Sequence, residues 1–490
     1  MAIPKICGIE NEFSLSAFDK DWRPLPSTGY SGILFRFVKE SLLRHLAVKF
    51  DQSQETRRSS FLPVKDDEAK FVNENLHNSY LTEKIIRDLD GFLDNGARFY
   101  LDCWHPEYST PECLVPLDAV AHDKGSELFM LQSLQAFKKQ ELNRQYKVVI
   151  HKNNSDGLGH SYGCHLNILL DRKLADCRSN SEYLIRSYVP FQIARMVLFG
   201  AGKLGSENGQ PKCRFQIWQR SDFFTSLHSL RTMENRPLFN TRDEPHANAE
   251  KYFRLHDIST DALRCEQAIF LKVALTQIML AMIEDHFLKD DFFPDDPLTE
   301  AHLLSRDLSF KHRMVLENGK KITGLELLRF YLRKAQEYLN LYPMHEQHVA
   351  AVQQGLELVD KLEKDWESTV GALDWTTARL IIEANPEKAR KNLFQFQEIN
   401  DNGLFNRLVR AGKIQRLLTD ELIAGTLVEP PKNTRAFVRS RLIKKYRNDI
   451  ESISWNSLKI IQKGLTTSID FESPILDELG QSMVSSILEL

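Results

Sequence analysis

The chain has 490 residues, 42% hydrophobic and 27% charged, an ordinary globular composition long enough for about two to four domains. Its 64 basic and 67 acidic residues leave a formal charge of −3, which excludes a global field that would recruit nucleic acid or an anionic membrane. The seven cysteines (7, 103, 113, 164, 177, 213 and 265) form no CxxC pair, which argues against a zinc ribbon or a thioredoxin-type centre and fits reduced thiols. The first residues, MAIPKICGIENEF, carry two carboxylates where a signal peptide needs its apolar core, so we expect a cytoplasmic protein.

Lys5 to Ser16 reads as a first strand. Glu10 and Glu12 sit two apart and point to one face of it. That face is either simply solvated or a pair of oxygen ligands for a divalent cation. Ser31 to Leu46 has the apolar spacing of a helix. Residues from about 49 to 78 are polar and charged without a clean period, as in a long insertion. A short helix is expected from Leu81 to Leu93. Asn95-Gly96 is a turn signal, and Ala97 to Leu101 is a strand ended by Asp102. Beyond it we expect a loop stiffened by Pro106 and Pro111 and carrying His105, Glu107 and Glu112. Such crowded carboxylates either belong to a polar surface loop or call for a cation or a shared proton.

Leu114 to Tyr146 reads as a helix and Val148 to Ile150 as a strand. The strand enters HKNNSDGLGHSYGCH, a loop suited to presenting backbone groups. His165, Asn167 and Leu169 then share one strand face. Phe191 to Phe199 is helix-like. Gly200 to Gly205 fits GxGxxG, but a polar loop with Pro211 follows instead of a helix, so it is not a dinucleotide fingerprint. Phe215 to Arg220 reads as a strand. Arg236 to His246 concentrates Arg236, Arg242, Asp243, Glu244 and His246. Ala268 to Ile283, broken by Lys272 and Gln277, falls short of the ~20 residues of a membrane span and reads as a core helix. The pattern from Asp261 to about Gln397 is mostly helical. A final unit begins near Asn402, and its basic helix, TRAFVRSRLIKKYR, reads as a solvated face. An oxygen-rich set of side chains with arginines suits Mg²⁺ and a phosphate-rich ligand. The residues alone point to a Mg-nucleotide site on a β-sheet, with Asp102 as carboxylate nucleophile or base.

Beyond this, the sequence resembles the Pup ligase and depupylase family of carboxylate–amine ligases, related to glutamine synthetase. The resemblance is carried by GIENEF (8–13), NGARFYLDCWHPEYSTPE (95–112), HKNNSDGLGHSYGCH (151–165), FQIWQRSDFF (215–224), NTRDEPHANAEKYFRLH (240–256) and the tail from Asn406 to Phe437. It implies an α+β fold: a large glutamine synthetase-like domain (1–400) with a curved, mostly antiparallel sheet packed on helices, and a small C-terminal domain (401–490). It also implies ATP and Mg²⁺ as cofactors. Glu10, Tyr100 and Glu107 are expected as magnesium ligands, and Glu12, His165 and His246 close to the metals and phosphates. Arg220 and Arg242 are expected to bind phosphate, and Asp102 is the essential aspartate. The implied partner is Pup, or a Pup-like disordered modifier, with its lysine conjugates.

The long polar insertion, PLDAV at 116–120, and NRLV (406–409) with SWNS (454–457) lean towards the depupylase branch. That branch hydrolyses the isopeptide bond between the modifier's C-terminal Glu and a lysine, and deamidates a C-terminal Gln. The alternatives are a ligase that activates the Glu as an acyl phosphate, and a non-catalytic homologue that binds ATP and the modifier. Asn11, Cys103-Trp104 and Leu166 depart from the family pattern. Leu166 stands where the family's HEN motif has Glu, which bears on third-metal geometry.

Overall fold

The computed structural model describes residues 1–51, 60, 88–102, 104–231, 236–471 and 473–476. The insertion expected at about 49–78 and most of the helix expected from Leu81 to Leu93 fall outside these residues. In chain order the strands up to residue 257 are β1 (Cys7–Glu12), β2 (Ser14–Phe18), β3 (Val48–Lys49), β4 (Asp90–Phe92), β5 (Arg98–Asp102), β6 (His105–Ser109), β7 (Lys147–His151), β8 (Cys164–Asp171), β9 (Lys203–Leu204), β10 (Phe215–Gln216), β11 (Ser226–Ser229), β12 (Pro237–Asn240) and β13 (Tyr252–Asp257). Nine of them make one sheet, ordered β11-β12-β13-β8-β1-β6-β5-β4-β3. Every neighbouring pair in it is antiparallel except β11 with β12. β2 pairs with β7, and β9 with β10.

Alternation along the strands gives this sheet two chemically different faces. Cys7, Ile9, Phe99, Leu101, Cys164, Leu166, Ile168, Phe253 and Leu255 are buried on one face. That face packs on helices, including Pro116–Lys139 and Glu266–Glu284. Glu10, Glu12, Tyr100, Asp102, Glu107, His165, Arg254 and His256 alternate with them and belong to the other face. Among the described residues, Glu266–Glu284 alone is long and apolar enough to cross a membrane, and its apolar stretch is wholly buried. Here it is the core helix that the sequence predicts.

Several expectations change in detail. The first strand breaks at Phe13 into β1 and β2, which join different sheets. The expected loop after Asp102 is strand β6. Asp102 pairs with His105 and Trp104 takes a φ of 74°, a tight reversal that brings the chain straight back as a hairpin. Pro106 is tolerated because Leu101, opposite it, donates to Leu89 O (3.1 Å) instead, while Pro106 O accepts from Phe13 N (3.0 Å). Asp90–Phe92, at the end of the expected helix, is a strand because it extends the sheet beyond β5. The expected strand Phe215–Arg220 shortens to β10, and Arg220 leads into a 3-10 turn, Ser221–Phe223.

The basic helix is also corrected. It spans Arg435–Tyr446, and Arg435 and Arg439 are buried on it. It packs with the three-stranded sheet Ile450–Ile453, Ser457–Gln462 and Leu465–Asp470. Val438, Leu442, Ile453 and Leu458 share a core with Val48, Phe50 and Phe92 from the edge of the large sheet. Earlier parts of the C-terminal region, Phe405, Ile414, Leu418 and Ile423, belong instead to the main core.

Candidate active site

β1 is the axis of the site. Its register sets Glu12 opposite Glu107 on β6 and Glu10 opposite His165 on β8. β5 sets Tyr100 opposite Glu107, and β13 sets His256 opposite Asn167. Two clusters of metal-capable side chains result. The donor atoms of Glu12, Asp102 and Glu107 all lie within 4.8 Å of one another, and so do those of Glu10, His165 and His256. Tyr100 Oη donates to Glu107 Oε1 (2.5 Å). His165 Nδ1 is 3.2 Å from Glu10 Oε2, and His105 Nδ1 is 3.0 Å from Glu12 Oε2.

The electrostatics of the first cluster fit a cation. Burial, then the charges of Asp102, Glu10 and Glu12, push the Glu107 carboxyl well above its usual range. Its Oε2 is buried without a hydrogen-bond partner. A bound divalent cation would relieve both the repulsion and the unmet acceptor. Burial raises Glu12 too, but the hydrogen bond and charge of His105 outweigh it and bring that carboxyl to about 2. In the second cluster burial opposes ionisation of Glu10, while His165 and Arg254 more than offset it and hold the group below its usual range. Burial and the Arg254 guanidinium push His256 well below its ordinary value, leaving the neutral imidazole that a metal requires. A Cβ at Gly163 would approach Glu12 Oε1 and His165 Nε2 to 2.5 Å. Glycine there keeps the space between the clusters open.

The remaining predicted residues ring this centre. Arg220 is buried, donates to Ile258 O, and feels the charge of Glu12. Arg242 follows β12, its N–H bonded to Asn240 Oδ1 (2.8 Å), with its charge acting on His256. His246, at φ 49°, lies further out. It lines a pocket with Gly8, Ile9, Glu10, Thr110, Arg254, Arg435 and Trp455. The predicted donors are thus divided between two clusters and a pocket. Sequence reasoning missed His256, Arg254 and the role of His105. Arg254 and His256 sit two apart in YFRLH, a face-sharing spacing that was there to be read.

Leu166 takes a place the sequence could not assign. It is 0% exposed and belongs to the apolar core, while its neighbours His165 and Asn167 belong to the site face. A side chain at 166 therefore points away from both clusters.

The sequence profile described as "Pup-ligase protein" matches residues 5–459. This chain belongs to that family. A depupylase of Acidothermus cellulolyticus is 35% identical over 409 residues, spanning 78% of this chain and 77% of its own length. A Pup–protein ligase of Acidimicrobium ferrooxidans is 34% identical over 402 residues, spanning 78% of this chain and 86% of its own. The solved structure of the Pup ligase PafA in complex with ADP superposes with a TM-score of 0.73 at 25% identity, covering 87% of this chain and 96% of that one. Family members thus carry two activities under one α+β fold.

Proposed function

We propose that this chain is an ATP- and Mg²⁺-dependent depupylase acting in the cytoplasm. Its substrate is a lysine conjugate of Pup or a Pup-like disordered modifier, cleaved at the isopeptide bond of the modifier's C-terminal Glu; a C-terminal Gln would be deamidated by the same chemistry. The observation that carries the reading is Asp102, held at the end of β5 with Glu12 and Glu107 close by. A carboxylate among cation-binding groups is equipped to be a nucleophile or a general base. The relatives named depupylase and ligase support a role in Pup chemistry of either direction. The long polar stretch before Asn95 and the PLDAV, NRLV and SWNS segments favour hydrolysis.

The described donors fit Mg²⁺ through Glu12 and Glu107, with Tyr100 supporting Glu107, and through Glu10, His165 and His256. The pocket beside Glu10 borders the second of these sets. It offers the Trp455 ring with Arg254 and Arg435, a fit for a nucleotide such as the ADP of the PafA structure. Arg220 and Arg242 would meet phosphate oxygens. When bound, Mg²⁺ would supply the positive charge that keeps Asp102 ionised, and ATP would complete the site.

As nucleophile, an Asp102 oxygen attacks the isopeptide carbonyl carbon. The C–N bond breaks, the lysine amine leaves with a proton from water, and hydroxide opens the resulting anhydride to restore Asp102 and free the Glu. As base, Asp102 instead takes a proton from the water that attacks and passes it to the departing amine. The reading of this chain as a non-catalytic binder loses its motive, since Leu166 faces the core.

The test is incubation with ATP, Mg²⁺ and a Pup-conjugated protein. Release of free modifier is expected. New conjugates from free modifier and a lysine-bearing protein, without release, would make the chain a ligase instead. Nucleotide binding without either reaction would leave it a binding protein.

A further inference from the structure

One buried carboxylate joins distant parts of the chain at the pocket. Glu112 follows β6, and both its oxygens are taken by the helix Arg435–Tyr446. Oε1 accepts from Arg435 Nε (2.7 Å) and Arg439 Nη1 (3.1 Å), and Oε2 accepts from Arg439 Nη2 (2.5 Å). Its main-chain carbonyl accepts from Thr434 Oγ1 (2.8 Å). Arg439 is fully buried, and it also donates to Trp455 O (3.1 Å) and Gly96 O (3.0 Å). Its guanidinium lies 5.0 Å from the Trp455 ring and 4.8 Å from Phe92. Arg435 Nη1 donates to Phe471 O (3.2 Å).

The far wall of the pocket is therefore built from residues that Glu112 holds. Arg435 is bonded to it directly, and Trp455 is held through Arg439. The near wall, Gly8, Ile9, Glu10 and Thr110, belongs to or borders the large sheet. We propose that Glu112 is a positioning residue for the nucleotide: it fixes Arg435 and Trp455 as one wall of the pocket, so that the pocket exists only while this carboxylate clamps the C-terminal helix to the sheet. The proposal rests on the reading of this pocket as the nucleotide site. Charge supports it. Burial raises the Glu112 carboxyl, yet Arg439 and Arg435 bring it down to about 2, so the clamp is a full ionic contact at neutral pH.

A carboxylate that only stabilised the fold and one that shaped the pocket would behave differently in calorimetry of Mg-ATP binding. In Glu112→Gln the dissociation constant should rise about tenfold or more while the stoichiometry of the folded protein stays at the wild-type value. A lowered stoichiometry with an unchanged dissociation constant would overturn the proposal, since that is loss of folded protein and nothing else. Because Gln leaves Arg439 buried without its counter-charge, the double variant E112Q/R439M is measured alongside, with the same expectation. A third measurement needs no variant. In the wild type, Mg-ATP should slow amide exchange across residues 434–439 and 454–455. Bound nucleotide with exchange there unchanged would also overturn it. Failure of the wild type to bind Mg-ATP at all would instead remove the nucleotide reading itself, and the proposal with it.

Discussion

At position 166 the alternation of one strand decides which chemistry is available. Leu166 is sealed in the core between Cys164 and Ile168, which are equally buried. Restoring the family glutamate there would place a carboxylate in the core with no counter-charge, a change that costs about 3–5 kcal/mol by analogy with broken buried ion pairs. Leu166→Glu should therefore lower the unfolding midpoint in denaturant and leave Mg²⁺ affinity no better than in the wild type. Tighter Mg²⁺ binding would mean that residue 166 reaches the site.

Asp102 carries the opposite expectation, since both of its candidate roles need the carboxylate. Asp102→Asn should nearly abolish turnover and leave Mg-ATP binding largely intact. Activity retained in fresh protein, with conversion back to Asp excluded by mass spectrometry, would remove Asp102 from the reaction. Single-turnover cleavage in ¹⁸O-water then separates nucleophile from base by where the label appears. At this scale much was legible. The spacing of Glu10 and Glu12, and of His165 and Asn167, gives their shared faces directly. The spacing of Arg254 and His256 gives their shared face too, but not the place of His256 beside His165, which only the pairing of β13 with β8 creates.

Between elements, the contact of Glu112, just after β6, with the helix Arg435–Tyr446 makes stability depend on pH. The Glu112 carboxyl sits near 2 when folded, against about 4.5 when free. A depressed carboxylate contributes stability that is complete above its unfolded value and is lost as pH falls towards the folded one. Glu112 should therefore contribute about 3 kcal/mol at pH 6 that is gone near pH 2. Urea denaturation at both pH values should show the wild type losing more stability than Glu112→Gln by about that amount, and equal losses would contradict the shift. The helix itself was readable from its sequence, but its burial was not. TRAFVRSRLIKKYR has the charge of a solvated face, and the partner that buries its arginines lies more than 320 residues away. β6 looked like a loop for another reason: Pro106 argues against a strand until its hydrogen-bond neighbours are known.

Over the whole molecule, the site gathers strands from residues 7–12, 98–109, 164–171 and 252–257 onto one sheet face. A ligand bound there stabilises the native state by its own binding free energy, about 2.7 kcal/mol at a hundredfold excess over its dissociation constant. Saturating Mg-ATP should thus raise the unfolding temperature of the wild type by several degrees. The rise should be largely lost in Glu10→Gln and Glu107→Gln. An undiminished shift in both would take those carboxylates out of the nucleotide site. The α+β architecture with a mostly antiparallel sheet was legible through the quoted family segments. The strand order was not, because neighbouring strands such as β1 and β8 are separated by some 150 residues of chain.

One wall of the pocket comes from the large sheet and the other carries Arg435 and Trp455. On the ribosome these parts emerge far apart in time. The strands of the large sheet are all made before Arg435 and Trp455, so this wall of the pocket is synthesised after the sheet it faces.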